Sequence, residues 1–249
     1  SATATAVCLR AEFGAGPMKT VKTVFFDLDG TLWPAHSVAL PAFQLTLARL
    51  QQPVPSDDVL IRTLGYPTHE IWQQLLPTAS VAARQEAARI MGEIELELLA
   101  AGQGETFPGV ESTLKQLQQA GIVLCILSNC DADYLQAVPD ALGIGHYFHK
   151  RFCAADFPGL SKSQILRHVL PGFAIPAAMV GDRWHDMEAG LANNLLTIGC
   201  AFGLGSAQEL EAAHHCIDNF SDLTELFLAR GETLSAGGGT RIEGRSVTR

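Results

Sequence analysis

The sequence predicts an α/β protein: a doubly wound parallel sheet with a small helical domain inserted after its first strand. Three observations carry that expectation. An apolar, β-forming run from Val21 to Phe26 ends abruptly in Asp27-Leu28-Asp29-Gly30-Thr31. Apolar residues then recur at helical spacing through residues 35–106, and from Phe107 to Ile198 short apolar runs alternate with amphipathic ones. Helix alternating with strand implies parallel pairing through right-handed crossovers, because a parallel neighbour is reached only by passing over a face of the sheet.

Taken in order, the stretches Val38 to Leu50, Asp57 to Leu64, Glu70 to Leu76 and Val81 to Ala101 carry apolar residues at helical spacing. Gly65-Tyr66-Pro67 and Pro77-Thr78 separate them. Phe107-Pro108-Gly109-Val110 marks the return into the main domain. Beyond it, helices are expected at Glu111 to Ala120, Asp133 to Leu142, Ser163 to Leu170 and His185 to Asn193. The strands between them are Ile122 to Leu127, a short one around Phe152, Ala178 to Val180 and Leu195 to Ile198. Residues 18–34 and 107–230 are therefore expected to form the core, and 35–106 the helical insert.

The chain has 249 residues, 47% of them hydrophobic, which suffices for one α/β domain and a smaller appendage. Its formal charge of -9 argues against a general nucleic-acid or anionic-membrane binder, since either needs a basic face. No apolar run approaches the length of a membrane span, so a soluble protein is expected. The six cysteines form no Cys-x-x-Cys pair, and Cys125 and Cys200 fall in or beside strands as small hydrophobes, which suits a reducing cytoplasm. Residues 1–17 are small and weakly patterned before Met18, a candidate native start, and lack the continuous apolar stretch of a signal peptide. Ser235 to Arg249 is Gly-rich and contains Ile242-Glu243-Gly244-Arg245, which resembles an engineered protease site. Both ends are read as flexible tails outside the functional argument.

Four places carry candidate chemistry. Asp27 and Asp29 are one residue apart, so in an extended chain their side chains point the same way while Leu28 turns to the core. Adjacent carboxylates repel, which makes sense if a cation lies between them or one keeps a proton; a strand entering an Asp-Gly turn is the plainer alternative. Ser128 and Asn129 follow the second core strand at the same sheet edge, where a hydroxyl can serve a phosphate oxygen, although Ser, Asn and Asp131 equally suit a helix start. Lys162 opens a helix, a position the helix dipole disfavours for a cation; taken alone it reads better as a solvated surface lysine. The competing Lys150 precedes a strand and is expected to face away. Finally, Gly181-Asp182-Arg183-Trp184-His185-Asp186 follows an apolar strand, with Asp182 and Asp186 both able to look toward the sheet edge, or else to act as an N-cap and a first-turn acid.

In order and placement these residues resemble the motif set of the haloacid dehalogenase-like superfamily: Asp-x-Asp-Gly-Thr at Asp27 to Thr31, then Ser128, then Lys162, then Gly181-Asp182 with Asp186. The resemblance covers residues 21–228. The run Gly181 to Leu210 is similar to the phosphoglycolate-phosphatase-like branch, which carries a helical cap of the C1 type. Two departures stand out: Lys162 is followed by Ser163 where that branch commonly has proline, and Leu32-Trp33-Pro34 replaces its usual Val-Asp-Ser. Both leave the chemistry intact and bear on substrate identity.

The resemblance implies a Rossmann-like core and a Mg²⁺-dependent phosphatase acting on a small phosphate monoester. In it Asp27 is the nucleophile that becomes an aspartyl-phosphate, and Asp29 the acid and base. Mg²⁺ would lie on Asp27, the backbone carbonyl of Asp29 and Asp182, with Asp186 directly or through water. Ser128, Lys162 and backbone amides around Gly30 and Asn129 would hold the phosphoryl oxygens. Trp33, His36, Arg62 and His69 are candidate substrate-facing residues, with packing the stronger reading for Trp33 and a solvated helix face for Arg62. Asp29 separates this chain from the carbon-halogen hydrolases that resemble the same scaffold, because a halide leaves without a proton. Two alternatives remain open at this stage: a sugar phosphomutase of the β-phosphoglucomutase type, and a non-catalytic phosphoacceptor or binding module, against which the second Asp and the insert argue.

Overall fold

Strand β1 (Thr23–Phe26) is buried along its whole length and splits its side chains between two cores. Val24 and Phe26 join Leu114, Leu117, Leu135, Val138, Leu223 and others on one face of the sheet. Phe25 joins Cys125, Leu127, Ile165, Leu166 and Met179 on the other. A central parallel strand covered on both faces is apolar except where a polar group finds a partner, and here Thr23 alone is polar, its hydroxyl donating to the Ala174 carbonyl at 2.8 Å. Each fully buried Phe or Leu contributes about 1.5–3 kcal/mol relative to exposure. The chain is seen here in a computed structural model that describes residues 21–228; Met18, both tails and the outermost edges of the expected core lie outside the described residues.

After β1 come four helices, α1 (His36–Arg49), α2 (Asp57–Arg62), α3 (Thr68–Leu75) and α4 (Val81–Ala100). They enclose a core of their own, with Phe43, Leu47, Leu60, Ile71, Trp72 and Met91 at its centre. The Phe43 and Trp72 rings meet edge to face at 5.9 Å. Ser80 caps α4 by accepting from the Ala83 amide at 3.2 Å. The two crossings between insert and sheet run side by side, joined by the Phe107 amide on the Leu32 carbonyl at 3.1 Å.

The remainder alternates as expected: α5 (Val110–Gln119), β2 (Val123–Ser128), α6 (Ala132–Ala141), β3 (Lys150–Cys153), α7 (Lys162–Val169), β4 (Ala177–Gly181), α8 (Trp184–Ala192) and β5 (Leu196–Cys200). Two elements follow that the sequence patterning did not reveal, β6 (His215–Ile217) and α9 (Asp222–Leu228). All five strand pairings are parallel, in the order β3-β2-β1-β4-β5-β6. The chain turns from one half of the sheet to the other between β1 and β4, which places a crevice at their carboxyl ends. Lys150 is the exposed first residue of β3. Among the described residues no helix is long and apolar enough to cross a membrane.

Candidate active site

The crevice gathers residues from five elements. Asp27 directly follows β1, Ser128 ends β2, Asn129 follows it, and Asp182 follows β4. Asp186 lies in the first turn of α8, where its Oδ2 accepts from the Arg183 amide at 3.0 Å. Lys162 is the first residue of α7, a helix fixed by a reciprocal cap between Ser161 and Gln164. That cap turns the lysine inward, so the solvated reading of Lys162 does not hold: its Nζ donates to Asp27 Oδ1 at 2.7 Å and Asp186 Oδ1 at 2.6 Å, with the residue 5% exposed.

Asp27, Asp182 and Asp186 each bring a carboxylate oxygen within 4.8 Å of the others. Asp182 accepts from Thr31 Oγ1 at 3.2 Å and the Leu204 amide at 2.7 Å, and has no cation of its own. Gly30 permits this approach. Its φ of 79° is one that L-residues avoid, and a Cβ there would collide with the Asp182 carboxylate. Three buried carboxylates around one ammonium leave the cluster negative. Burial holds the Asp182 carboxyl well above its ordinary pKa, with Asp27 and Asp186 adding to it. Burial also raises Asp27, against the pull of Lys162. For Lys162 burial works downward, and Asp186 with Asp27 more than reverse it, so the ammonium is held charged. An all-oxygen donor set carrying excess negative charge suits a hard divalent cation, so these three residues can hold a metal ion.

Asp29 faces elsewhere. Its Oδ1 accepts from Trp33 Nε1 at 2.9 Å and from Tyr134 Oη at 3.0 Å. Burial and the neighbouring Asp27 raise its pKa to about 7, while those two donors oppose the rise. The two carboxylates of the motif are thus sorted, one into the acid cluster and one onto neutral donors. Both line a cavity of about 410 Å³, with Ser128 and Asn129 beside them.

Some expected residues fall outside that arrangement. Trp33 is fully buried and orients Asp29 rather than lining the cavity. His36 and Arg62 are exposed on the insert and are not brought to the cavity. His69 is exposed too, at the edge of a wider cleft of about 900 Å³ that reaches Lys162. The Gly30 amide is engaged with the Trp33 carbonyl at 2.9 Å, and the Asn129 side chain donates to the Gly65 carbonyl at 2.9 Å. That second bond ties the core to the insert. So do the Thr68 hydroxyl on Asp131 at 3.0 Å, and Arg183, which donates to the Leu64 carbonyl and lies 5.0 Å from the centre of the Tyr66 ring.

Tyr134, Arg183 and Glu95 were missed from sequence. Tyr134 sits in a helix with nothing to distinguish it from a packing aromatic. Arg183 falls inside the Gly181 to Asp186 motif, and its role depends on a carbonyl in a distant segment. Glu95 belongs to Glu93-Ile94-Glu95-Leu96-Glu97, where it looks like one more acid of a charged helix, although the helical turn sets it on the side away from Glu93 and Glu97.

A family model described as haloacid dehalogenase-like hydrolase matches residues 21–194. The probable phosphatase IndB of Dickeya dadantii is 27% identical, the match covering 80% of this chain and 90% of IndB. The tyrosine-protein kinase PtkA of Mycobacterium tuberculosis is 26% identical over 79% of this chain and 68% of its own. A phosphoglycolate phosphatase of Vibrio cholerae is 25% identical over 85% and 99%. The crystal structure of a predicted phosphoglycolate phosphatase from Haemophilus somnus superposes with a TM-score of 0.76 at 20% identity, covering 84% of this chain and 99% of that one, a likeness of fold.

Proposed function

The chain belongs to the haloacid dehalogenase-like hydrolases, and from that premise we propose that it is a Mg²⁺-dependent phosphatase of small phosphate monoesters, working through an aspartyl-phosphate. The observation that carries the reading is the sorting of the two motif carboxylates. Asp27 lies in the acid cluster and Asp29 lies outside it, both on one cavity and with Asp29 raised to a pKa of about 7. A group of that pKa can both give and take a proton near neutral pH.

Asp27, Asp182 and Asp186 would hold the cation, which would neutralise phosphoryl charge. Lys162 takes Asp27 Oδ1, which leaves Oδ2 to attack phosphorus. As the new P–O bond forms and the ester P–O bond breaks, Asp29 gives its proton to the leaving alkoxide. The Asp29 carboxylate then takes a proton from water, whose oxygen attacks the aspartyl-phosphate, releasing inorganic phosphate and restoring Asp27. Ser128 and Lys162 hold the phosphoryl oxygens through both steps. Trp33 and Tyr134 keep Asp29 oriented, and the helical insert shields the reacting centre from bulk solvent while leaving room for the attacking water.

The test is the leaving-group dependence of Asp29→Asn. Alkyl phosphates need a proton on departure and p-nitrophenyl phosphate does not. Single-turnover phosphoenzyme formation should therefore fall by roughly 10²–10⁴-fold on an alkyl ester and far less on the aryl ester, with phosphoenzyme accumulating on the latter. Equal loss on both esters would remove Asp29 from the role.

A further inference from the structure

The cavity that opens from Asp27 and Asp29 toward the insert is lined mainly by acids among its charged residues. Glu95, on α4, is 8% exposed and lines it, yet among the described residues its carboxyl has no hydrogen-bond or ion-pair partner. Asp131 and Asp133 line the same space. Arg89 is the one basic side chain among the described residues lining it, and its guanidinium is already engaged: Nε and Nη2 donate to Glu86 at 2.9 and 2.7 Å, and Nη1 to Glu93 at 2.5 Å. Burial, with Asp29 and Asp131 close by, holds the Glu95 carboxyl well above its ordinary pKa. A second polar group is unmatched here as well. Trp72 is 1% exposed, lines the cavity, and its Nε1–H has no acceptor among the described residues.

Buried polar groups are normally satisfied, and an unpaired acid is costly unless a partner arrives. A glycolate leaving group would set a carboxylate against Glu95, Asp131 and Asp133 with no free cation to receive it, and a second phosphate would fare worse. A protonated amine meets the opposite situation: it displaces the proton that burial keeps on Glu95 and pairs with the carboxylate left behind, with Tyr66 and Tyr134 on the same lining. We propose that the substrate is the phosphate ester of an amino alcohol, its ammonium bound by Glu95 at the insert side of the cavity. The proposal rests on the phosphatase reading above and names the substrate class of that site. It separates this chain from its phosphoglycolate-named relatives by the charge of the leaving group.

The experiment compares kcat/KM with Mg²⁺ for O-phosphoethanolamine, propyl phosphate and 2-phosphoglycolate, with p-nitrophenyl phosphate reporting the basic reaction. The expected order places the ammonium ester about tenfold or more above the neutral one and about a hundredfold or more above the carboxylate. Glu95→Gln, close in shape, should collapse the ratio of ammonium to neutral ester toward one. Wild-type protein that turns over p-nitrophenyl phosphate but prefers the neutral or carboxylate ester would overturn the assignment and leave the phosphatase intact. So would an unchanged ratio in folded Glu95→Gln. No turnover of any ester, p-nitrophenyl phosphate included, would overturn the phosphatase reading and this inference with it.

Discussion

Asp182 is fully buried, accepts two hydrogen bonds and has no cation of its own, while Asp27 and Asp186 share Lys162. Without a metal it adds repulsion to the fold. Asp182→Asn keeps the shape, and its amide can still serve Thr31. In the metal-free protein this change should raise stability by about 1–3 kcal/mol, a few degrees in Tm, while erasing the Mg²⁺-induced shift and the activity. A lower metal-free Tm or a surviving Mg²⁺ shift would contradict the role. The same residues show what was legible locally. Asp27, Asp29, Asp182 and Asp186 announce themselves through spacing at strand ends. Lys162 does not, because its burial depends on the Ser161 cap and on partners 135 and 24 residues away.

At the scale of elements, the insert is held over the sheet edge by few polar ties, and Arg183 makes some of them. It donates to the Leu64 carbonyl and faces the Tyr66 ring, and its pair with Glu209 of the core at 2.8 Å holds it there. Arg183→Met retains the apolar stem and removes the charged hydrogen bonds, a loss of about 1.5–3 kcal/mol. Thermal melting should drop accordingly, and limited proteolysis should cut faster within residues 35–106; unchanged melting and cleavage would show that the insert docks by apolar contact alone. Alternating helices and strands could be read because their periodicities differ. β6 and α9 could not. A three-residue strand, His215–Ile217, offers no period, and α9 follows it with seven described residues. The ties made by Arg183 and Asn129 to Leu64 and Gly65 join distant segments, and no local pattern records them.

For the whole molecule, the buried acids set the pH response. Asp29 rises from 3.8 to about 7 on folding, and Asp27, Asp182 and Glu95 shift the same way. A raised pKa means the folded state holds the proton more tightly. That stability is complete below the unfolded value and is lost as pH climbs through the folded one. Metal-free protein should therefore lose stability between about pH 4 and 7, partly offset by Glu209, whose pairing with Arg183 works the other way, and by His185 and His214, whose burial lowers their pKa. Because a cation competes with those protons, the Tm gain from Mg²⁺ should be larger at pH 8 than at pH 5. Stability that is flat or rises over that range without metal would contradict the charge balance drawn here.

The most direct test of the central claim is phosphate release from a panel of small phosphate esters, with Mg²⁺ or with chelator, by wild type and by Asp27→Asn. The account predicts multiple-turnover release that requires the metal and disappears in the variant while its fold persists. Release that survives chelator or Asp27→Asn would contradict it, and so would an isomerised sugar phosphate formed without free phosphate.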